Sequence, residues 1–280
     1  MKDAQRTLKM ESELTSLKEE APKPKKGKRF LHHGLRFLFA VLVSVFVGFN
    51  SQVIYNYTRY EKFFVNGSSM YPTLNKNAIA YDKEGNRHEN YQGDFTGWGW
   101  HYVCDYGLMD THKTGVNFFN RFDIVVTYYS SDFSNGLLKK NASLKIKRIL
   151  GLPGESLYFD SEGNLYVMGV GDTEYSLIEQ PFITAESHPE ESAVSGVQIG
   201  TPTHHASLGE DEFFLVGDNR AKGASLDSRF SSVGNVRYEE IVGKAIAITA
   251  QCTYSIDDNG VGTESVSFLA SAFPWSYRFL

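Results

Sequence analysis

The chain of 280 residues holds only two cysteines, Cys104 and Cys252. They make no C-x2-C pair, and the eight histidines fall in no H-E-x-x-H or comparable spacing. The usual sequence signatures of a zinc centre are therefore missing, and neither a metal nor another cofactor is expected. Outside the cytoplasm the two cysteines could pair, but spacing says nothing about proximity, and two separate thiols remain the alternative. After residue 60 the chain has no long amphipathic helical period and no helix-turn-helix pattern. Internal repeats and sustained low-complexity tracts are absent as well. Positive charge is short overall, with a net of −5. Residues 1–36 carry ten Lys/Arg against five Asp/Glu, a net of +5, so the remainder carries −10. An acidic body of this kind argues against a nucleic-acid partner.

What the chain does have is one uncharged apolar run, FLFAVLVSVFVGFNSQVI at 37–54. A stretch of roughly 18 such residues is just long enough to span a bilayer. Lys23, Lys25, Lys26, Lys28, Arg29 and Arg36 precede it, and Tyr55, Tyr57, Tyr60, Phe63 and Phe64 follow as an interfacial belt would. The positive-inside rule then predicts a cytoplasmic basic tail over 1–36 and an anchor over 37–56. The remainder, 60–280, is expected on the extracytoplasmic side. A buried core helix and a cleaved signal peptide are the alternatives. The basic flank speaks against the first, and the lack of an A-x-A-like site after the run speaks against the second. Within the tail, MESELTSLKEE suits either a turn or two of helix or a solvated segment.

Beyond the anchor the pattern is mainly β. KNAIAYD (76–82), FDIVVTYY (122–129), SLKIKRIL (143–150), SLYFDSEGNLYVMG (156–169), EFFLVGD (212–218) and EEIVGKAIAITAQC (239–252) are short runs rich in β-branched and aromatic residues. SEGN at 161–164 reads as a hairpin turn. Residues 83–118 and 170–210 fit no clean period and read as loop insertions on the β framework.

Three strings carry chemistry. VNGSSMYPTL (65–74) presents Ser68 and Ser69 just before a proline that restricts Tyr71 to extended backbone. KIKRILGLPGE (145–155) offers two lysines, Lys145 and Lys147, on one face of a strand, so alternation alone does not choose between them. Its Gly151, Pro153 and Gly154 supply a tight turn. GDNRAKGASLDSR (217–229) is a polar segment that, taken alone, reads as a turn rich in Gly, Asn and Asp. A serine hydroxyl needs a neighbour to take its proton, and a lysine serves if burial brings its pKa down to roughly 7–8. Nucleophilic chemistry is thus available without histidine.

In this order, behind one N-terminal anchor, the three strings resemble the bacterial type I signal peptidases, a family of Ser/Lys proteases on a membrane-anchored β fold. FDIVV resembles a further family segment. The resemblance implies a mainly β, signal-peptidase-like fold with one N-terminal transmembrane helix, and an endopeptidase that removes signal peptides from exported preproteins after small residues. It identifies Ser69, which precedes Met70 and Pro72, as the nucleophile, and Lys147, which precedes Arg148, as the general base. The backbone N–H of Ser69 is the implied oxyanion donor. Some members place a side-chain hydroxyl two positions before the nucleophile, where this chain has Gly67. The S-x-D-S-R spacing carries Ser225, Asp227 and Arg229 across, with Ser225 expected to bond the Lys147 amine. Asp218 is expected to pair with Arg148. Four residues, Ala221 to Ala224, separate Arg220 from Ser225, where the family has two.

The implied partners are signal peptides and the lipid bilayer, with neither nucleic acid nor metal. A Ser/Lys peptidase dedicated to one pilin or conjugation substrate differs only in what it cuts, and a non-catalytic anchored binding module would lose the need for Ser69 and Lys147. Trp98 and Trp100 suit either lipid headgroups or ordinary packing, and the tail FLASAFPWSYRFL suits a last strand or an interfacial segment. The sequons NGS (66–68) and NAS (141–143) arise often by chance.

Overall fold

The computed structural model describes residues 26–81, 87–89, 101–191, 201–256, 262–266 and 278–280. The expectations for MESELTSLKEE, for Trp98 and Trp100 and for most of the FLASAFPWSYRFL tail fall outside the described residues. The chain divides into two compact units, Met1–Asn56 and Tyr57–Leu280.

The first unit is dominated by one helix, α1 (Lys26–Arg59), which continues to Arg59. No proline interrupts it, and Gly34 and Gly48 are isolated, so helical propensity carries it past both ends of the uncharged run. His32–Arg59 is 28 residues long, its most apolar 18-residue stretch has a mean hydropathy of 2.1, and its apolar side chains are exposed. At 1.5 Å per residue it spans roughly 42 Å, more than the ~30 Å of a bilayer's hydrocarbon core.

The second unit is β. In chain order its strands are β1 (Tyr60–Phe64), β2 (Ile79–Tyr81), β3 (Arg87–Glu89), β4 (His101–Asp110), β5 (Ile124–Thr127), β6 (Phe133–Ser134), β7 (Leu137–Leu138), β8 (Lys145–Gly151) and β9 (Ser156–Phe159). There follow β10 (Leu165–Met168), β11 (Ser176–Ile178), β12 (Ala206–Ser207), β13 (Glu212–Val216), β14 (Val236–Arg237), β15 (Ile241–Ile256), β16 (Gly262–Val266) and β17 (Arg278–Phe279). A large sheet runs β14-β13-β8-β5-β15-β4-β2-β3, with β1 added to β4 and with β16 and β17 added to β15. A smaller sheet runs β11-β10-β9-β12, and β6 and β7 form a separate hairpin.

Local sequence explains the principal strands. All four residues of β5, Ile-Val-Val-Thr, are buried, as expected of a strand covered on both faces. The strands β9 and β10 alternate buried and half-buried positions, and SEGN turns between them so that Leu165 pairs with Phe159. Leu150, Leu157, Phe159, Leu165, Val167 and Phe214 form one apolar cluster that joins the smaller sheet to β8 and β13. A second cluster contains Phe63, Val65, Met70, Leu74, Met109, Ile124, Val126 and Ile146. It lies directly under the string that carries Ser69.

The expected insertions are more ordered than their sequence suggests. Within 83–118, His101–Asp110 is a ten-residue strand that pairs with β1, β2 and β15. It lacks clean alternation because two of its acids are buried in pairs: Asp105 meets Arg278, and Asp110 meets Arg59. Within 170–210, β11 and β12 complete the smaller sheet, and short 3-10 turns occupy Ala185–Ser187 and Pro189–Glu191.

Candidate active site

The string Val65–Asn75 is held from below, from its two ends and from its side. Met70 and Leu74 are fully buried plugs in the underlying apolar cluster, and each such side chain contributes about 1.5–3 kcal/mol on burial. Gly67 has φ +100°, a left-handed value that a side chain would strain. Asn75 closes the loop, its amide donating to the carbonyls of Val65 at 2.7 Å and Gly67 at 3.0 Å. Asp105 locks Asn75 in turn. Its carboxylate accepts the Asn75 N–H at 2.9 Å, and its own N–H donates to Asn75 Oδ1 at 2.8 Å. Arg278 then donates to the Thr73 carbonyl at 2.6 Å and to Asp105 at 2.9 Å. The Tyr71–Pro72 peptide is cis. Ser69 emerges half-buried from this clamp, whereas Ser68 is only 3% exposed.

The Lys147 side chain on β8 reaches the same point. Its Nζ donates to Ser69 Oγ at 2.9 Å and to the Ile146 carbonyl at 3.0 Å. Burial pushes its pKa down from 10.5 to about 8, while the carboxylate of Asp227 pulls the other way and Arg229 adds to the depression. Lys145, on the same face of the strand, does something else. It pairs with Asp132 and lies over the Tyr129 ring, 5.1 Å from its centroid. Alternation brings both lysines to one side, but only Lys147 sits far enough along β8 to be covered.

The third string packs against both. A side-chain carbon at Gly217 would overlap Ser225 Oγ and the Ser69 carbonyl, so glycine is required for this close approach. The Asn219 N–H donates to the Ser69 carbonyl at 3.1 Å, and its amide donates to the Ser68 carbonyl at 3.1 Å. Asp218, fully buried, takes two bonds from Arg148 at 2.8 and 2.6 Å and one from Thr73 Oγ1 at 2.5 Å. The expected Asp218–Arg148 pair is therefore present. It also ties the residue next to Lys147 to the serine string. The Arg148 guanidinium lies 3.9 Å from the Phe182 ring centroid, a cation–π contact.

Asp227 is equally enclosed. It accepts from Gly217 N–H at 2.9 Å, from Ser225 Oγ at 2.7 Å and from Arg229 Nε at 2.9 Å. Its carboxyl is held below the usual range by Arg229 and these bonds, which outweigh the opposing effect of burial. Ser225 was expected to bond the Lys147 amine; instead its hydroxyl donates to Asp227, and Lys147 bonds Ser69 and the Ile146 carbonyl. A buried carboxylate is the stronger acceptor for a single hydroxyl proton. The four-residue Ala221–Ala224 segment turns outward, with Lys222 and Gly223 exposed, so Ser225 still returns to the buried cluster.

Asn75, Asp105 and Arg278 were not singled out from the sequence. They lie apart along the chain, and no local motif joins them. Arg220 was quoted only as part of its string. It is buried, donates to the Gly217 carbonyl at 2.8 Å and to Gln180 at 2.9 Å, and burial together with Arg229 depresses its pKa to about 9. Beside Pro72 and Thr73 a cleft of about 450 Å³ opens between Lys76, Phe182, Thr184, Ala185 and Glu186.

A family model described as signal peptidase, peptidase S26, matches residues 34–250. The chain belongs to this family. It is accordingly a serine peptidase of the signal peptidase I type, with a mainly β body and one N-terminal apolar helix that fits membrane anchoring. Signal peptidase I U of Bacillus subtilis is 27% identical over 184 residues, covering 66% of this chain and 72% of that protein. Signal peptidase I T of the same organism is 25% identical over 219 residues, covering 78% and 84%. A solved signal peptidase I from Enterococcus faecalis covers 45% of this chain and 94% of its own, at 24% identity and a TM-score of 0.31.

Proposed function

We propose that this signal peptidase cleaves exported preproteins after small residues by a Ser69/Lys147 dyad. The observation that carries this reading is the 2.9 Å contact between Lys147 Nζ and Ser69 Oγ, made by an amine whose burial favours its neutral form. Neutral Lys147 takes the Ser69 proton as Oγ attacks the carbonyl carbon of the scissile bond. The Ser69 N–H stabilises the oxyanion, with Gly67 contributing no hydroxyl. The ammonium of Lys147 returns its proton to the leaving amine. The amine then activates water, which releases the acyl group and restores Ser69.

The remaining residues position this pair. Asp218 couples Arg148 to Thr73, and Asp227 with Arg229 and Ser225 sets the charge around the Lys147 amine. In membrane terms, 1–36 forms a cytoplasmic tail, 37–56 the bilayer-crossing part of α1, and 60–280 an extracytoplasmic peptidase domain. The basic residues before the anchor support this direction. Substrates are signal peptides presented at the same bilayer.

The test is incubation of the purified full-length protein in detergent with a preprotein, the cut being mapped by mass spectrometry. A single cut after an A-x-A-like site is expected. No cleavage, or cleavage after large side chains, would refute the reading.

A further inference from the structure

Cys104 and Cys252 are the only cysteines in the chain, and each is the other's direct cross-strand partner between β4 and β15. They are 148 positions apart, yet their Sγ atoms lie 3.8 Å from each other, and both residues are completely buried. Ala78 and Tyr106 pack against them. Directly opposed residues of an antiparallel pair have Cα separations of about 4.5–5.5 Å, inside the range of about 4.4–6.8 Å found for disulfides. A bond between them therefore asks for side-chain rotation, with no movement of the strands. Metal binding is a poor account of the pair, since no group of three or more His, Cys, Asp or Glu side chains capable of holding an ion occurs among the described residues.

We propose that Cys104 and Cys252 are oxidised to a structural disulfide as β4 and β15 pair outside the cytoplasm. This rests on the sidedness given under the proposed function, because such bonds persist in oxidising compartments. The co-reactant is a disulfide-bearing thiol oxidant. One protein thiolate attacks the oxidant's S–S bond, forming a mixed disulfide and releasing one oxidant thiol. The second protein thiolate then attacks the protein sulfur of that mixed disulfide and releases the other oxidant thiol. The two protein thiols lose two protons and two electrons in all, and the oxidant's disulfide becomes two thiols.

Burial pushes the Cys104 thiol well above its ordinary pKa, so exchange is slow once the strands have closed. The reaction belongs to the folding chain, and the same burial afterwards shields the bond from reductants. The bond staples together two strands whose cysteines are 148 positions apart in the sequence. Cys104 is adjacent to Asp105, which locks Asn75 under the Ser69 string, so the staple also secures the strand on which that clamp depends.

The experiment takes the full-length protein from membranes, denatures it in excess iodoacetamide and measures its intact mass before and after reduction. No adduct before reduction and two after it are expected; two adducts without reduction would overturn the proposal. A parallel sample, reduced, unfolded and refolded with oxidised glutathione, separates the causes of failure. Should the bond form there while the membrane-derived protein carries two thiols, the compartment assigned to the domain is at fault. If it forms in neither, the cross-strand geometry is at fault, and protease accessibility in spheroplasts then tests sidedness alone. Oxidised protein should melt on the order of 5–15 °C above the reduced form. Cys104→Ala and Cys252→Ala should both melt with the reduced wild type, and equal melting of oxidised and reduced protein would contradict a structural staple.

Discussion

The depressed pKa of Lys147 makes a quantitative prediction about rate against pH. With an ordinary lysine near 10.5, only about 0.03% of the amine is neutral at pH 7; with the pKa at about 8, about 9% is neutral. Burial thus raises the competent fraction roughly 300-fold at pH 7. The value of kcat/KM should climb with unit slope below pH 8, fall about tenfold per pH unit on acidification, and level off above roughly pH 9. The assay is cleavage of a preprotein or signal-peptide substrate in detergent from pH 6 to 10.

Unfolding must be kept apart from this effect. Because the folded pKa of Lys147 lies below the unfolded one, the unfolded state binds more protons between pH 8 and 10.5. Stability therefore rises with pH across that window, and the full penalty, on the order of 3 kcal/mol, is present below pH 8. Asp227 behaves in the opposite sense. Its depressed pKa adds stability that is present above the unfolded Asp value of about 4 and is lost as pH falls through the folded value. Neither group unfolds the protein progressively between pH 8 and 6, so circular dichroism should stay flat while the rate drops. A limb centred near 10.5, or a profile level from pH 6 to 10, would refute the role given to buried, neutral Lys147.

Four further outcomes are expected. Ser225→Ala removes one of several donors to Asp227, and a bond to a charged group is typically worth about 1.5–3 kcal/mol, so the folded protein should lose about that much stability and cleavage should slow. Deleting two residues from 221–224 should be tolerated because that segment turns outward; single-turnover cleavage checks both variants. Arg278→Ala unties Thr73 and Asp105, and should lower kcat several-fold with little change in KM and a partial return in Arg278→Lys. Wild-type kinetics in Arg278→Ala would remove it from the clamp. Protease added to spheroplasts should digest the β unit and leave a short N-terminal fragment, and protection of the whole chain would reverse the assigned sidedness.

The β character and the N-terminal apolar helix were legible because both are written locally. IVVT in β5 and the SEGN hairpin state their own structure, and the uncharged run could hardly be anything but an apolar helix. Lys147 could be separated from Lys145 only by resemblance, since strand alternation puts both on one face and burial depends on what packs over β8. The ten-residue strand His101–Asp110 was obscured because its acids are paired with Arg59 and Arg278, partners that no local pattern indicates. The Ser225 bond was misassigned for a related reason. Spacing placed the hydroxyl in the right cluster, but that its proton goes to the buried Asp227 carboxylate depends on packing that no spacing indicates.

The central claim is that Ser69 and Lys147 act as a pair, and single-turnover cleavage of one preprotein by four variants tests it most directly. Ser69→Ala and Lys147→Ala should each abolish cleavage while retaining wild-type circular dichroism. The neighbours Ser68→Ala and Lys145→Ala should keep most of it, since Ser68 is buried and Lys145 is engaged with Asp132. Normal turnover by a folded Ser69→Ala or Lys147→Ala protein would contradict the dyad.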